Sequence, residues 1–411
     1  MDQSLQPTGA ERRWPRPRIS IRATLLAILV IGSGLAWIVN RAHDQRDAVA
    51  AVERAGGRVI YDRQPERKRR PVTADESGGK KAVVDLIGVD FVKKPLRVYK
   101  FQPKSDDELA SLESMPSLET LIIESPAVTD AGLRHLAGLV HLRDLSIEKS
   151  QVRGEGLAHL RGHQHFLTLS LSGSAVDDDG LAHVGRFTDL VLLRLERTRV
   201  TDAGLTHLTG LTHLGTLGLD ETAVSDAGLV NLKGLPGLRS LNLAGTKVRG
   251  PGLAHLKGLP ALTGISLRNT AVDDAGLAEL ASLTGLTGVN LDGTPVTDAG
   301  MAQLAKMVGL ERLILDKTRI SDAGVGTLKG LGNLQTLSLR ECRIGDAALV
   351  HLVGLSKLIE VSLQGTDVSD AGLAELGKLV QLRMLRVRAT RVTDAGAEAF
   401  RRAFPGVRVE R

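Results

Sequence analysis

One cysteine, two tryptophans, two tyrosines and six phenylalanines are all that the 411 residues hold of these types. A lone thiol, Cys342, permits no internal disulfide, so the chain carries no covalent sign of its redox compartment. The scarcity of aromatic rings excludes a surface on which bases could stack. Charge points the same way. Residues 1–110 hold 21 Lys/Arg against 14 Asp/Glu, whereas residues 111–411 hold 32 against 33, so the net charge of +6 belongs to the N-terminal quarter. A nucleic-acid partner for the rest of the chain is not expected. No nucleophile motif or zinc-protease helix is present, and Gly78-Gly-Lys-Lys81 lacks the earlier glycine of a phosphate loop. Enzyme activity, a cofactor and a resident metal are therefore not expected.

What the chain does have is repetition. From Val128-Thr-Asp-Ala-Gly-Leu133 to the copy that begins at Val392, one phrase occurs twelve times, each 24 residues after the last. A fixed period of 20 to 29 residues marks a solenoid, in which each copy forms one coil and buries its flanks against its neighbours. In the copy around Val200, Leu193 and Leu195 alternate with period two, which predicts a short strand with one buried face. Leu205, Leu208 and Leu211 then follow three apart, which predicts a helix of about two turns. Asp202 stands where an N-cap is needed, its carboxylate expected to accept a backbone N–H of its own helix. Ten of the twelve copies keep this Asp, and Gly154 and Gly250 replace it. Two residues before each phrase Thr stands in eight copies, Thr198 among them, with Ser150 and Ser174 in two more. These hydroxyls are expected to bond the turning backbone of their own and the neighbouring coil. Pro126 and Cys342 fill the remaining two places and should make poorer rungs.

These residues resemble the leucine-rich-repeat family, whose pattern is L-x-x-L-x-L-x-x-N/C-x-L, with Thr here where the family usually has Asn. The Asp-x-Gly-Leu tail and Cys342 look most like the cysteine-containing subclass. The resemblance covers residues 105–411 and implies an α/β solenoid, with a curved parallel sheet on the concave side and short helices on the convex side. Proteins of this family usually bind protein partners on the concave face.

The ends read differently. Ser105-Asp-Asp-Glu-Leu109 is a worn first copy, while Gly57–Tyr61 and Leu96–Tyr99 read as strands of an N-terminal cap. Phe400 and Phe404, followed by Pro405-Gly-Val-Arg-Val409, read as a closing helix and strand. Residues 23–39 are uncharged and mostly apolar, about 25 Å as a helix, the short end of a membrane span. Arg12, Arg13, Arg16, Arg18 and Arg22 precede this run, against Arg41, Arg46 and Arg54 after it. That bias predicts a cytoplasmic N-terminus and exported repeats, in the periplasm for an inner-membrane protein. A cleaved signal peptide with Gly34-Leu-Ala36 as its site is the alternative. The divisions expected are a basic cytoplasmic arm (1–22), an anchor (23–39), a linker and cap (40–104), the repeats (105–397) and a C-terminal cap (398–411). The charged stretch from Glu66 to Lys81 is expected to be a solvated loop.

Four residues ahead of each phrase stand Glu124, Glu148, Ser172, Glu196, Asp220, Ala244, Arg268, Asp292, Asp316, Arg340, Gln364 and Arg388, which should line the concave face. The charged members of this row are the candidate protein-binding residues. Glu124 and Glu148 should be direct neighbours, a repulsion that Lys149 could answer, as Arg197 and Lys317 could elsewhere. His135, His159, His183 and His207 share one position in successive copies, which suits either a metal or, more plainly, a duplicated solvent-facing residue; His163, in a leucine place, reads as a half-buried substitute. The function implied is a membrane-anchored repeat protein that presents its solenoid for protein binding, resembling bacterial envelope repeat proteins. The alternatives are a structural or adhesive envelope element without a specific partner, and an adaptor like the F-box leucine-rich-repeat proteins.

Overall fold

The computed structural model describes residues 21–61, 94–163 and 165–411. The basic arm before residue 21 and the linker of residues 62–93 lie outside them. The chain divides into two compact units, residues 1–47 with 66–93, and residues 48–65 with 94–411. In the first, the described residues belong to helix α1 (Ile21–Arg54), which contains a segment long and apolar enough to cross a membrane. Its side chains Leu25, Leu26, Ile28, Leu29 and Trp37 are exposed.

The second unit is built on one sheet of fifteen strands in strict sequence order. Its edge strand β1 (Arg58–Tyr61) pairs antiparallel with β2 (Pro95–Phe101), and every later pairing is parallel. From β3 (Thr120–Glu124) and β4 (Asp144–Glu148) onward the register advances by 24 residues per strand. Leu193 therefore faces Leu217, and Leu217 faces Leu241. This follows from a period without drift: each strand meets its own copy, so identical side chains stack into one continuous spine. In the Val200 coil, Leu193, Leu195, Val200, Leu205, Leu208, Leu211 and Leu214 are all fully buried. The same residue types are buried in coil after coil, in a single core.

Two turn devices hold the coils. In the first, the rung threonine closes its own turn: Thr198 Oγ1 donates to Leu195 O at 2.6 Å, and Thr222, Thr246, Thr270, Thr294, Thr318, Thr366 and Thr390 repeat the bond three residues back. It is Cys342 that crosses coils, its Sγ donating to Leu315 O at 3.0 Å. The second device corrects the expected role of the repeated Asp. In most coils it is the first residue of the helix and the cap is the residue before it, as with Thr297 over Asp298–Leu304, whereas Asp202 and Asp226 lie just ahead of helices that no side chain caps. The carboxylate reaches the next coil instead: Asp298 accepts from Ser321 N at 2.7 Å and from Ser321 Oγ at 2.5 Å. Asp106, Asp178, Asp202, Asp274, Asp346 and Asp370 make the same pair of bonds 23 residues on.

The two departures explain themselves in this frame. Where Arg153 and Arg249 replace the capping hydroxyl, Asp130 and Asp226 each accept three backbone N–H groups, those of Arg153, Gly154 and Gly156 and of Arg249, Gly250 and Gly252. Gly154 and Gly250 have φ of 112° and 132°, conformations that other residues rarely adopt. A Cβ on either would sit within 2.5 Å of the Cα of Gly180 or Gly276 in the following coil. That following coil receives no carboxylate, and Asp177 and Asp273 cap their own helices there.

Both ends are closed. Val52, at the end of α1, is buried with Val98, Phe101 and Met115. At the other end Phe400 packs on Phe404 with ring centroids 4.7 Å apart, below the last strand, β15 (Arg408–Glu410). The worn first copy forms a short helix, Asp106–Ser114, and its Asp106 bonds onward like the others.

Candidate functional site: the concave face

A strand that buries every second residue offers the others to the concave side. In each coil three positions face that side, at strand start, strand end and two residues further, and the last of these is the row beginning at Glu124. The next residue takes a positive φ in eleven successive coils, from Lys149 (52°) to Ala389 (55°). Its N–H bonds the carbonyl of the following coil, as Lys149 N does Ser172 O at 2.9 Å. The backbone thus turns at the same place in each coil and carries Lys149, Arg197, Glu221, Lys317 and Glu341 along one border.

Charge is mostly answered between coils. Glu124 and Glu148 are direct partners in the sheet, and Lys149 Nζ lies 2.5 Å from Glu124. Arg197 gives two bonds to Glu221, at 3.0 and 3.1 Å, and not to its sequence neighbour Glu196. Arg268 meets Asp292 at 3.1 Å and Lys317 meets Glu341 at 3.9 Å. Glu148 accepts from Ser146 and Ser170 at 2.9 and 3.0 Å.

Glu196 and Asp220 differ. Glu196 accepts from Ser172 Oγ, and Asp220 from Asn242 Nδ2 at 2.6 Å, with no cation on either among the described residues. Burial, and then the Glu196 carboxylate, pushes Asp220 up to about 6. Its Oδ1 is buried without a partner, as is Asp292 Oδ1. Glu148, Glu196, Asp220 and Arg268 meet in one trough of ≈ 480 Å³, with Arg194 on its wall. Asp316 and Arg340 line a second recess of ≈ 410 Å³. Asp316 is itself pushed up by burial, against the pull of Ser338 and the Arg340 N–H. Glu124, Asp292 and Arg388 belong to the same row but line neither hollow.

The candidate residues named from the sequence belong to one row only. The row at strand end faces the same side and contains Arg194, Ser362 and Arg386, the last held between Glu360 and Glu410. The 24-residue step applied to all three rows finds them. On the convex side His135, His159 and His207 precede buried leucines and His183 the buried Val184, and the described residues contain no group of three or more potential ligands placed to hold a metal. His163 is 2% exposed, fully rather than half buried, stacked on Phe166 at 5.3 Å, and burial lowers its pKa.

The sequence matches no protein-family model and no curated protein. The structure, however, is similar to solved ones. An internalin of Listeria monocytogenes superposes with a TM-score of 0.54 at 20% identity, covering 74% of this chain and 88% of its own. A leucine-rich-repeat protein of Leptospira interrogans gives 0.53 at 14% identity, covering 77% and 90%. The chain has the leucine-rich-repeat fold, with the parallel sheet and short helices that its 24-residue phrase dictates.

Proposed function

We propose that the chain is a single-pass membrane protein, held through residues 23–39 with its N-terminus in the cytoplasm, whose exported solenoid binds a protein on its concave face. The fold is typical of protein–protein interaction modules. One observation carries the choice of face: Glu196 and Asp220 stand side by side in a trough, held by neutral donors with no cation on either among the described residues, and Asp220 Oδ1 is buried without a partner. Two adjacent acids at a half-buried site repel each other, and a basic group of a partner would relieve both. No Trp or Tyr lies on the repeat strands, so the binding is modest and driven by charge. That same plainness is what favours a structural or adhesive role without a specific partner.

The two roles separate in one experiment. A photo-reactive residue is placed in intact cells at concave Asn290, and at exposed convex Val308 as a control. Binding on the concave face gives one discrete adduct from position 290 and none from 308, and the adduct is lost when Glu196 and Asp220 are both changed to Lys. An adduct from 308 alone, or none from either position, sinks the proposal.

A further inference from the structure

Along the concave face a polar side chain at strand end repeatedly donates to an acid 22 residues earlier, in the preceding coil. Ser170 gives to Glu148, Asn242 to Asp220 and Ser338 to Asp316, at 3.0, 2.6 and 2.6 Å. At Ser362 the pattern breaks, because the residue 22 back is Arg340, another donor. Ser362 is 4% exposed and its hydroxyl has no partner. The nearby acids are engaged elsewhere: Asp316 by Ser338 and the Arg340 N–H, Glu360 and Glu410 by Arg386. Among the described residues Arg340 and Arg388 form no ion pair. Arg340, Ser362 and Gln364 line one recess, and Arg388 is the next member of their row. At ~4.8 Å per coil the two arginines stand about 10 Å apart at the backbone, with Gln364 between them.

A buried hydroxyl, an amide and the Arg340 side chain thus share one recess, with a donor where Ser170, Asn242 and Ser338 find an acid, and Arg388 follows on the next coil of the row. We propose that Arg340, Ser362, Gln364 and Arg388 form a subsite for a carboxylate on an acidic side chain of the protein partner. A carboxylate is planar, takes two parallel N–H bonds from a guanidinium, and has lone pairs left for the Ser362 hydroxyl. The inference rests on the protein-binding role proposed above and adds the chemistry of one contact.

The test uses the purified full chain with ¹⁵N-labelled arginine, titrated at constant ionic strength with N-acetylglutamate amide. The Nε–Hε signals of Arg340 and Arg388 are expected to shift saturably while those of Arg194 and Arg197 stay put. N-acetylglutamine amide should move none of them. Ser362→Ala should weaken binding about ten- to hundredfold, the loss of one shielded hydrogen bond to a charged acceptor. Arg340→Gln should remove saturation. Equal shifts at Arg194, shifts that never saturate, or an undiminished affinity in S362A would overturn the subsite. Inorganic phosphate binding more than tenfold tighter would overturn the choice of carboxylate. Saturation at Arg340 with no adduct from Asn290 would leave a site for small carboxylates and remove the protein as their source.

Discussion

At the scale of single residues the repeated Asp does more than its sequence position suggests. Asp298 receives two bonds from Ser321 of the next coil, both to a charged acceptor, and such bonds contribute about 1.5–3 kcal/mol each when shielded, less when half exposed. Asp298→Ala is therefore expected to cost about 2 kcal/mol in chemical denaturation. Asp394 pairs with Arg411 in the open and, among the described residues, bridges to no further coil, so Asp394→Ala should cost less than about 1 kcal/mol. Equal losses would refute the bridging role. Asp220 makes a different kind of statement. Its folded pKa of about 6 lies above the ordinary carboxylate range, through burial first and Glu196 second. The folded chain then holds this proton more tightly than the unfolded one, so the group's stabilising effect is fully present below about pH 4 and is lost as pH rises through 6. Asp220→Asn should raise the midpoint of thermal unfolding at pH 7.5, by an amount on the order of 1 kcal/mol once its half exposure is discounted. Near pH 4 the difference should vanish. A variant that matches the parent at pH 7.5 would show that the two carboxylates tolerate each other.

At the scale of the coil, Gly250 is one place where two backbones approach closely. Its φ of 132° and the Gly276 Cα, 2.4 Å from any added Cβ, leave no room for Gly250→Ala without moving the turn. The strain should exceed about 2 kcal/mol, and amide exchange should quicken in the coils on either side of residue 250. Protection unchanged there would mean that the coils part without cost. How far such features can be read from sequence depends on whether they lie along the chain or across it. Strand register, the buried leucines and the threonine bonds within a coil were legible from the period of 24, whereas the expected threonine bond to the backbone of the neighbouring coil is absent among the described residues and Cys342, expected to be a poor rung, makes one instead. The bridge from Asp202 to Ser225 was not legible, since its partner is 23 residues away and the N-cap place lies one residue off. A trace of it was present: Arg153 and Gly154 change together, as do Arg249 and Gly250, and Asp177 and Asp273 follow in the next coil. The candidate site divides the same way. The row from Glu124 to Arg388 was legible by counting, whereas which acid each cation chooses was not. Arg197 passes over its neighbour Glu196 for Glu221 because the left-handed turn aims it along the border to the next coil.

At the scale of the whole molecule the question is how one helix could serve both the proposed anchor and the solenoid. The uncharged run 23–39 and the last turns of α1 belong to one helix, but only the end of that helix serves the fold: Ala48, Val49 and Val52 are buried in the same core as Val98 and Phe101. A solenoid needs its first coil covered, because an uncovered end exposes the apolar flank that each inner coil hides against its neighbour. The two roles should therefore separate between residues 40 and 48. Removing residues 1–40 is expected to release the chain from membranes and to lower helical circular dichroism only by the helix removed, while leaving the unfolding midpoint unchanged. Removing residues 1–55 should also strip the cap and lower the midpoint, by about 3 kcal/mol or more for two buried valines and the cavity they leave. If the shorter deletion stays with the membrane, the anchor is not residues 23–39. If the parent chain isolated from cells begins after Ala36, the segment is a cleaved signal and the solenoid is a released protein. In that outcome the concave face keeps its chemistry but meets its partner in solution rather than along a membrane.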